Sequence, residues 1–135
     1  MESPYAIIRE LPGLDYDRAV EAVVPLLKEE GFGVLTEIDV KATLKAKLGL
    51  DFKRYVILGA CNPNLAHQAL SGEPLLGVLL PCNVIVMERD GGGSTVAAFK
   101  PTAGFSLVDN PAVAPIAEQV EERMRRVLDR LAGES

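Results

Sequence analysis

The chain has 135 residues, of which 48% are hydrophobic and 24% charged, with a formal net charge of −5. That length suits one domain and can bury roughly two-thirds of the unfolded surface, so folding requires neither a disulfide nor a structural metal. An excess of acids disfavours nucleic-acid binding, which Lys and Arg drive, while a mean hydropathy of +0.17 is high for a small monomer and leads us to expect a homodimer that covers apolar surface.

Tyr5 to Leu11 (YAIIREL) is expected to be a first strand, stopped by Pro12-Gly13. A helix is expected from about Asp15 to Glu30, with Tyr16, Val20, Val23 and Leu27 as its buried stripe. Asp15 or Asp17 would cap its start and Gly31 would end it. Pro25 falls inside the pattern but off the stripe, so a kink convex to solvent is expected. The next run, GFGVLTEIDV, alternates as a strand with Phe32, Val34, Thr36 and Ile38 on one face. Asp39 then N-caps a short helix, VKATLKAKL, which ends at Gly49 and turns Val40, Leu44 and Leu48 inward.

RYVILGAC, Arg54 to Cys61, is apolar on both faces and reads as a central strand. A second short helix should run from Pro63 to about Leu70, closing near Gly72. LLGVLLPCNVIVMER reads as one long strand with a bulge or an edge at Pro81, which cannot donate to a ladder. Gly91 to Gly93 turn it back into STVAAFK, and irregular chain follows to Asn110. The last helix carries Val113, Ile116, Ala117, Val120, Met124, Val127, Leu128 and Leu131 on one stripe, with Glu121–Arg125 and Glu122–Arg126 as i,i+4 pairs opposite. Asn110 and Pro111 are its expected N-cap and first residue, with Pro115 as the alternative start. The order predicts an α+β fold over residues 1–135: two long helices on one face of a mostly antiparallel sheet.

The amino terminus has no basic segment followed by an apolar run, and the longest apolar stretch, GVLLPCNVIVM, is far shorter than the ~20 residues of a membrane helix. With no membrane segment expected, two cysteines imply reduced thiols in the cytoplasm.

The candidate chemistry gathers in GACNPNLAH, Gly59 to His67, which holds one of two cysteines and the only histidine. Cys61 closes a strand just before a helix with Asn62 at the N-cap and Pro63 at N1. Free amides there favour a thiolate, a carboxylate or a phosphate. A small buried hydrophobe is the plainer role for Cys61, and His67 lies a turn further along. Cys82 and Asn83 repeat the Cys-Asn pair on the next strand, or else simply follow the break at Pro81. Cys61, Asn62, His67, Cys82 and Asn83 therefore form the candidate ligand site. Their spacing is no zinc pattern, so no metal and no cofactor are expected. The chain has no HExxH, CxxC or Rossmann fingerprint, and Gly91 to Gly93 open no helix. Lys41, Lys45, Lys47, Lys53 and Arg54 form a local basic stretch against Asp51, to be read as an anion-steering patch or a solvated face. Glu37 and Asp39 flank Ile38 on one side of their strand. Two functions follow: a module that binds a small ligand, an anion being one candidate, near the Cys61-Asn62-Pro63 helix start, or a thiol-dependent enzyme or redox sensor acting through Cys61.

The runs KEEGFGVLTEIDVKATLKAKLGLDF, YVILGACNPNLAHQAL and GVLLPCNVIVMERDGG resemble the bacterial and archaeal family called domain of unknown function 302. The resemblance spans nearly the whole chain and centres on Cys61-Asn62-Pro63 and Leu80-Pro81-Cys82-Asn83. It implies a TATA-binding-protein-like α+β fold and a dimer, and it implies no activity and no DNA binding.

Overall fold

A computed structural model describes residues 1–133. Its strands are β1 (Ala6–Leu11), β2 (Gly33–Asp39), β3 (Tyr55–Cys61), β4 (Cys82–Glu88) and β5 (Ser94–Phe99). Its helices are α1 (Tyr16–Glu29), α2 (Val40–Leu48), α3 (Pro63–Gly72), α4 (Pro101–Gly104) and α5 (Val113–Ala132), with a 3-10 segment at Pro74–Leu79. The five strands form one sheet in the order β1-β5-β4-β3-β2, and every neighbour pair is antiparallel. The fold is α+β, in an order consistent with that expected.

Local signals place the long helices. Asp15 caps α1, its carboxylate accepting from the Arg18 amide at 2.9 Å. At the other end Gly31, with φ of 86°, donates to the Lys28 carbonyl and Phe32 donates to that of Leu27. This is a Schellman closure, in which the left-handed residue costs glycine little. Pro25 lies on the exposed side of α1. Helix α5 buries Val113, Ala117, Val120, Met124, Val127, Leu128 and Leu131. Both expected pairs form on its other face, and Arg126 also reaches Glu30 at 2.9 Å, tying α5 to α1. The core lies between these helices and the sheet face that carries Val56, Leu58, Val84, Val86, Val96 and Ala98.

The structure corrects several expectations. The single long strand is two elements: Pro74–Leu79 coils as a 3-10 turn anchored by buried Leu76, and β4 begins only at Cys82 after a cis Leu80–Pro81 bond. No bulge lies at Pro81. The register shift falls in β2, between Val34 and Thr36. Val34 therefore pairs with core-facing Ala60, whereas Thr36 and Ile38 pair with Gly59 and Ile57 on the opposite face. The four alternating residues of that strand do not share a face. Helix α2 forms under its Asp39 cap, at 2.9 Å from the Ala42 amide, and ends at left-handed Gly49, but it buries no residue and Leu48 is 65% exposed. Finally, α5 starts at Val113, not at Pro111, with Ala112 at the cap position; the Asn110 side-chain oxygen accepts from the Ala112 amide at 3.0 Å, two residues short of the expected role. Asn110 also donates to the Gly72 carbonyl and to Glu73, stitching this turn to the end of α3.

Candidate functional site

Beta strand β3 ends at Cys61, and Asn62 turns the chain into α3. The Asn62 side-chain oxygen accepts from the Leu65 amide at 3.2 Å, and its carbonyl accepts from the Ala66 amide at 2.8 Å. Pro63 has no amide hydrogen. The start of α3 thus uses most of its donors internally, leaving little positive charge for an anion. Gly59, two residues before Cys61, lets Thr36 and Pro81 close over the strand: a methyl group there would strike Thr36 Oγ1 and come within 2.9 Å of Pro81 Cγ.

Beside this corner lies a pocket of about 320 Å³ whose lining is almost wholly apolar. Ala60, Cys61, Asn62 and Cys82 form its strand-side wall, and Leu65, Ala66, Ala69 and Leu70 of α3 form another. Leu76, Gly77, Leu80 and Pro81 roof it, and Ile116 and Val120 of α5 close the far side with Phe32 and Phe105. Amphipathic α3 faces Leu65 and Ala69 into this region and leaves Pro63, Asn64, His67 and Gln68 outside.

Three of the five sequence candidates therefore converge. Cys61, Asn62 and Cys82 line the pocket, whereas His67 is exposed on the outer side of α3 and Asn83 is exposed on β4; neither lines it. The reason is periodicity. His67 lies two residues beyond buried Leu65, about 200° around the helix, and Asn83 points away from its neighbour Cys82 across the pleat. Cys61 is half-buried and Cys82 buried, and both are free thiols. Burial, reinforced by the nearby Cys61, pushes the Cys82 thiol up to about 12. Among the described residues, no three His, Cys, Asp or Glu side chains gather so as to hold a metal ion.

The sequence reading missed the roof and far wall. Apolar periodicity puts Leu76 and Leu80 in a strand and Phe105 in irregular chain. Ile116 and Val120 were assigned only to the core stripe of α5, which carried no sign that its first turns also face a pocket. The basic stretch is occupied locally: Lys41 donates to the Phe52 carbonyl, Lys45 pairs with Asp51 at 3.2 Å, and Arg54 pairs with Asp17 and Glu88 while lying over the Tyr16 ring. Three of the five basic residues of the stretch are thus engaged within the chain.

A five-stranded antiparallel sheet, backed by two long helices and bordered by an apolar pocket, defines a small α+β protein. The family model described as Domain of unknown function DUF302 matches residues 7–131, and the chain belongs to that family. It is similar to the crystal structure of an uncharacterized conserved protein DUF302 from Bacillus stearothermophilus, with 33% identity and a TM-score of 0.87 over 96% of this chain and 99% of that one. Neither name assigns an activity. Among the described residues no helix is long and apolar enough to cross a membrane.

Proposed function

We propose that this chain is a small-molecule binding module that takes a compact apolar ligand in the pocket beside the start of α3. The observation that carries the reading is the lining: about 320 Å³ enclosed by aliphatic and aromatic side chains, with no Lys, Arg or His among them. That composition replaces the anion expected from the Asn62-Pro63 helix start, since a buried negative charge would find no cation to pair with. The volume accommodates roughly ten methylene-sized groups, at the ~30 Å³ each that a water-sized group occupies in a liquid. Pockets of this size, apolar with a few polar groups at the edge, are typical of small-molecule sites. Here Thr36, Cys61 and Asn62 are the polar residues in a lining that is otherwise apolar but for Cys82, and the Asn62 side-chain oxygen is already engaged in the α3 cap. Two free thiols fit a reducing, cytoplasmic setting.

The alternative, thiol chemistry at Cys61, has in its favour that this half-buried thiol lines the pocket. It is the weaker reading because no general base lines the pocket and His67 faces away.

Decanol is a suitable probe. Titrated towards its solubility limit, it is expected to raise the melting midpoint and to give a saturable calorimetric signal. Ala66→Leu fills the pocket from a half-buried helical position. It should abolish both responses while changing the ligand-free stability by no more than about 1 kcal/mol. A wild-type protein showing neither response, or a response that persists in Ala66→Leu, refutes the site.

A further inference from the structure

The lining of the pocket carries no charged side chain, but one corner of its rim does hold unspent donors. Asn62 is 9% exposed and its side chain is only half used. Its oxygen accepts from the Leu65 amide, whereas Nδ2 donates to no acceptor among the described residues. Among those residues no side-chain nitrogen or oxygen that is sealed from space lacks a partner, so Nδ2 reaches open space. An unused donor on so buried a residue costs free energy until something accepts from it.

Arg123 supplies a cation at the same corner. The other arginines of α5 are all paired: Arg125 with Glu121, Arg126 with Glu30 and Glu122, and Arg130 with Glu29. Arg123 is half-buried and pairs with no carboxylate among the described residues; its Nη1 donates to the Glu30 carbonyl at 3.1 Å. In a chain of net charge −5 that unpaired guanidinium stands out. The two donors meet over Gly31. Asn62 Nδ2 and Arg123 Nη1 lie 2.9 and 3.9 Å from the position a methyl group there would take. The pocket wall adjoins this point, since Phe32 follows Gly31 and Val120 lies one turn before Arg123 on α5.

We propose that this corner is a carboxylate site and that the pocket takes an unbranched aliphatic monocarboxylate. The aliphatic chain fills the apolar cavity, and the head group stays at the rim between Asn62 Nδ2 and Arg123. The inference rests on the pocket reading above and adds the head group that reading leaves open. Both groups can only donate here, so they select an acceptor, and a carboxylate offers one oxygen to each. Charge-assisted bonds to a guanidinium favour that carboxylate over a neutral hydroxyl. The positive charge comes from α5 and not from the α3 start, whose amides serve its own cap. Holding the head group beside half-buried Arg123 keeps negative charge out of the uncharged lining.

Calorimetric titration with decanoate and, separately, with decanol at neutral pH and low salt tests the proposal. Wild type should bind decanoate at least about tenfold tighter than decanol. Arg123→Gln removes the charge but keeps a donor for the Glu30 carbonyl. It should abolish the preference for decanoate and leave decanol binding as it was. Arg123→Lys keeps the charge without the fork and should retain part of the preference. Far-ultraviolet circular dichroism checks the fold of each variant. Should Arg123→Gln misfold, raised salt still decides on wild type, because it should weaken decanoate binding and spare decanol. Decanol binding with decanoate no tighter leaves the pocket standing and overturns the carboxylate site. A preference that survives in folded Arg123→Gln places the carboxylate elsewhere and overturns it as well. If neither compound binds, the pocket reading fails and this inference falls with it.

Discussion

Asn62 is where the helix cap, the pocket wall and the packing against α1 meet, and Asn62→Ala tests all three. The residue is 9% exposed, and its side-chain oxygen is the acceptor for the Leu65 amide at 3.2 Å. Its side-chain nitrogen lies 2.9 Å from the position a methyl group would take on Gly31, so the amide fills the space under the turn that ends α1. Loss of an N-cap alone costs about 1 kcal/mol. Here the abandoned Leu65 amide belongs to a buried residue, and an unsatisfied buried donor costs about 1–3 kcal/mol, which includes the lost cap bond. Asn62→Ala should therefore destabilise by about 2 kcal/mol, lowering the midpoint by roughly 6–10 °C for a domain of this size. Calorimetry or urea unfolding measures it, with an unchanged urea slope showing that stability alone moved. Asn62→Asp keeps the acceptor and should lose less than half as much. Asn64→Ala, at an exposed neighbouring position, should change stability by no more than about 0.5 kcal/mol. A midpoint in Asn62→Ala indistinguishable from wild type would mean that the capping geometry does not exist in solution.

The two thiols should behave differently: at pH 8, iodoacetamide should modify half-buried Cys61 in the native protein and leave buried Cys82 unmodified until the chain is unfolded, as followed by peptide mass analysis. Equal labelling of both would show that the pocket opens to Cys82. Because the Cys82 thiol is raised from 9.0 to about 12, the unfolded chain releases its proton first as pH rises. Stability from this residue is thus full below about pH 9 and is lost as pH climbs towards 12, and Cys82→Ala should flatten that alkaline decline. Glu30 has the opposite sign. Its hydrogen bond and ion pair with Arg126 hold its carboxyl below the ordinary 4.5, so its contribution is present above that value and is lost as pH falls through the folded pKa. Glu30→Gln should therefore show a shallower acid decline of the melting midpoint between about pH 6 and about pH 3. A decline as steep as that of wild type would sink the assignment.

What the sequence by itself determined are the features set by neighbours along the chain. The Asp15 cap, the Gly31 closure, the Asn62-Pro63 start of α3 and the buried stripe of α5 each depend on residues within a turn or two. The hairpin at Gly91 to Gly93 is partly of the same kind: its three glycines take positive φ, but Gly93 also lies against the Leu11–Pro12 backbone, a contact only the fold supplies. The tertiary structure decided everything that depends on register. An apolar run such as LLGVLL has the same composition as strand or 3-10 turn, and only the docking of Leu76 under α3 and α5 selects the turn that roofs the pocket. One extra residue at Leu35 in β2 reverses the facing of Thr36 and Ile38, because strand side chains alternate with a period of two. Periodicity likewise separates Cys61, Asn62 and Cys82 from His67 and Asn83, which are neighbours in sequence but face away from the pocket. A candidate list drawn from a linear motif collects reactive residue types. Which of them share a cavity is settled by which faces the sheet and helices bury against one another.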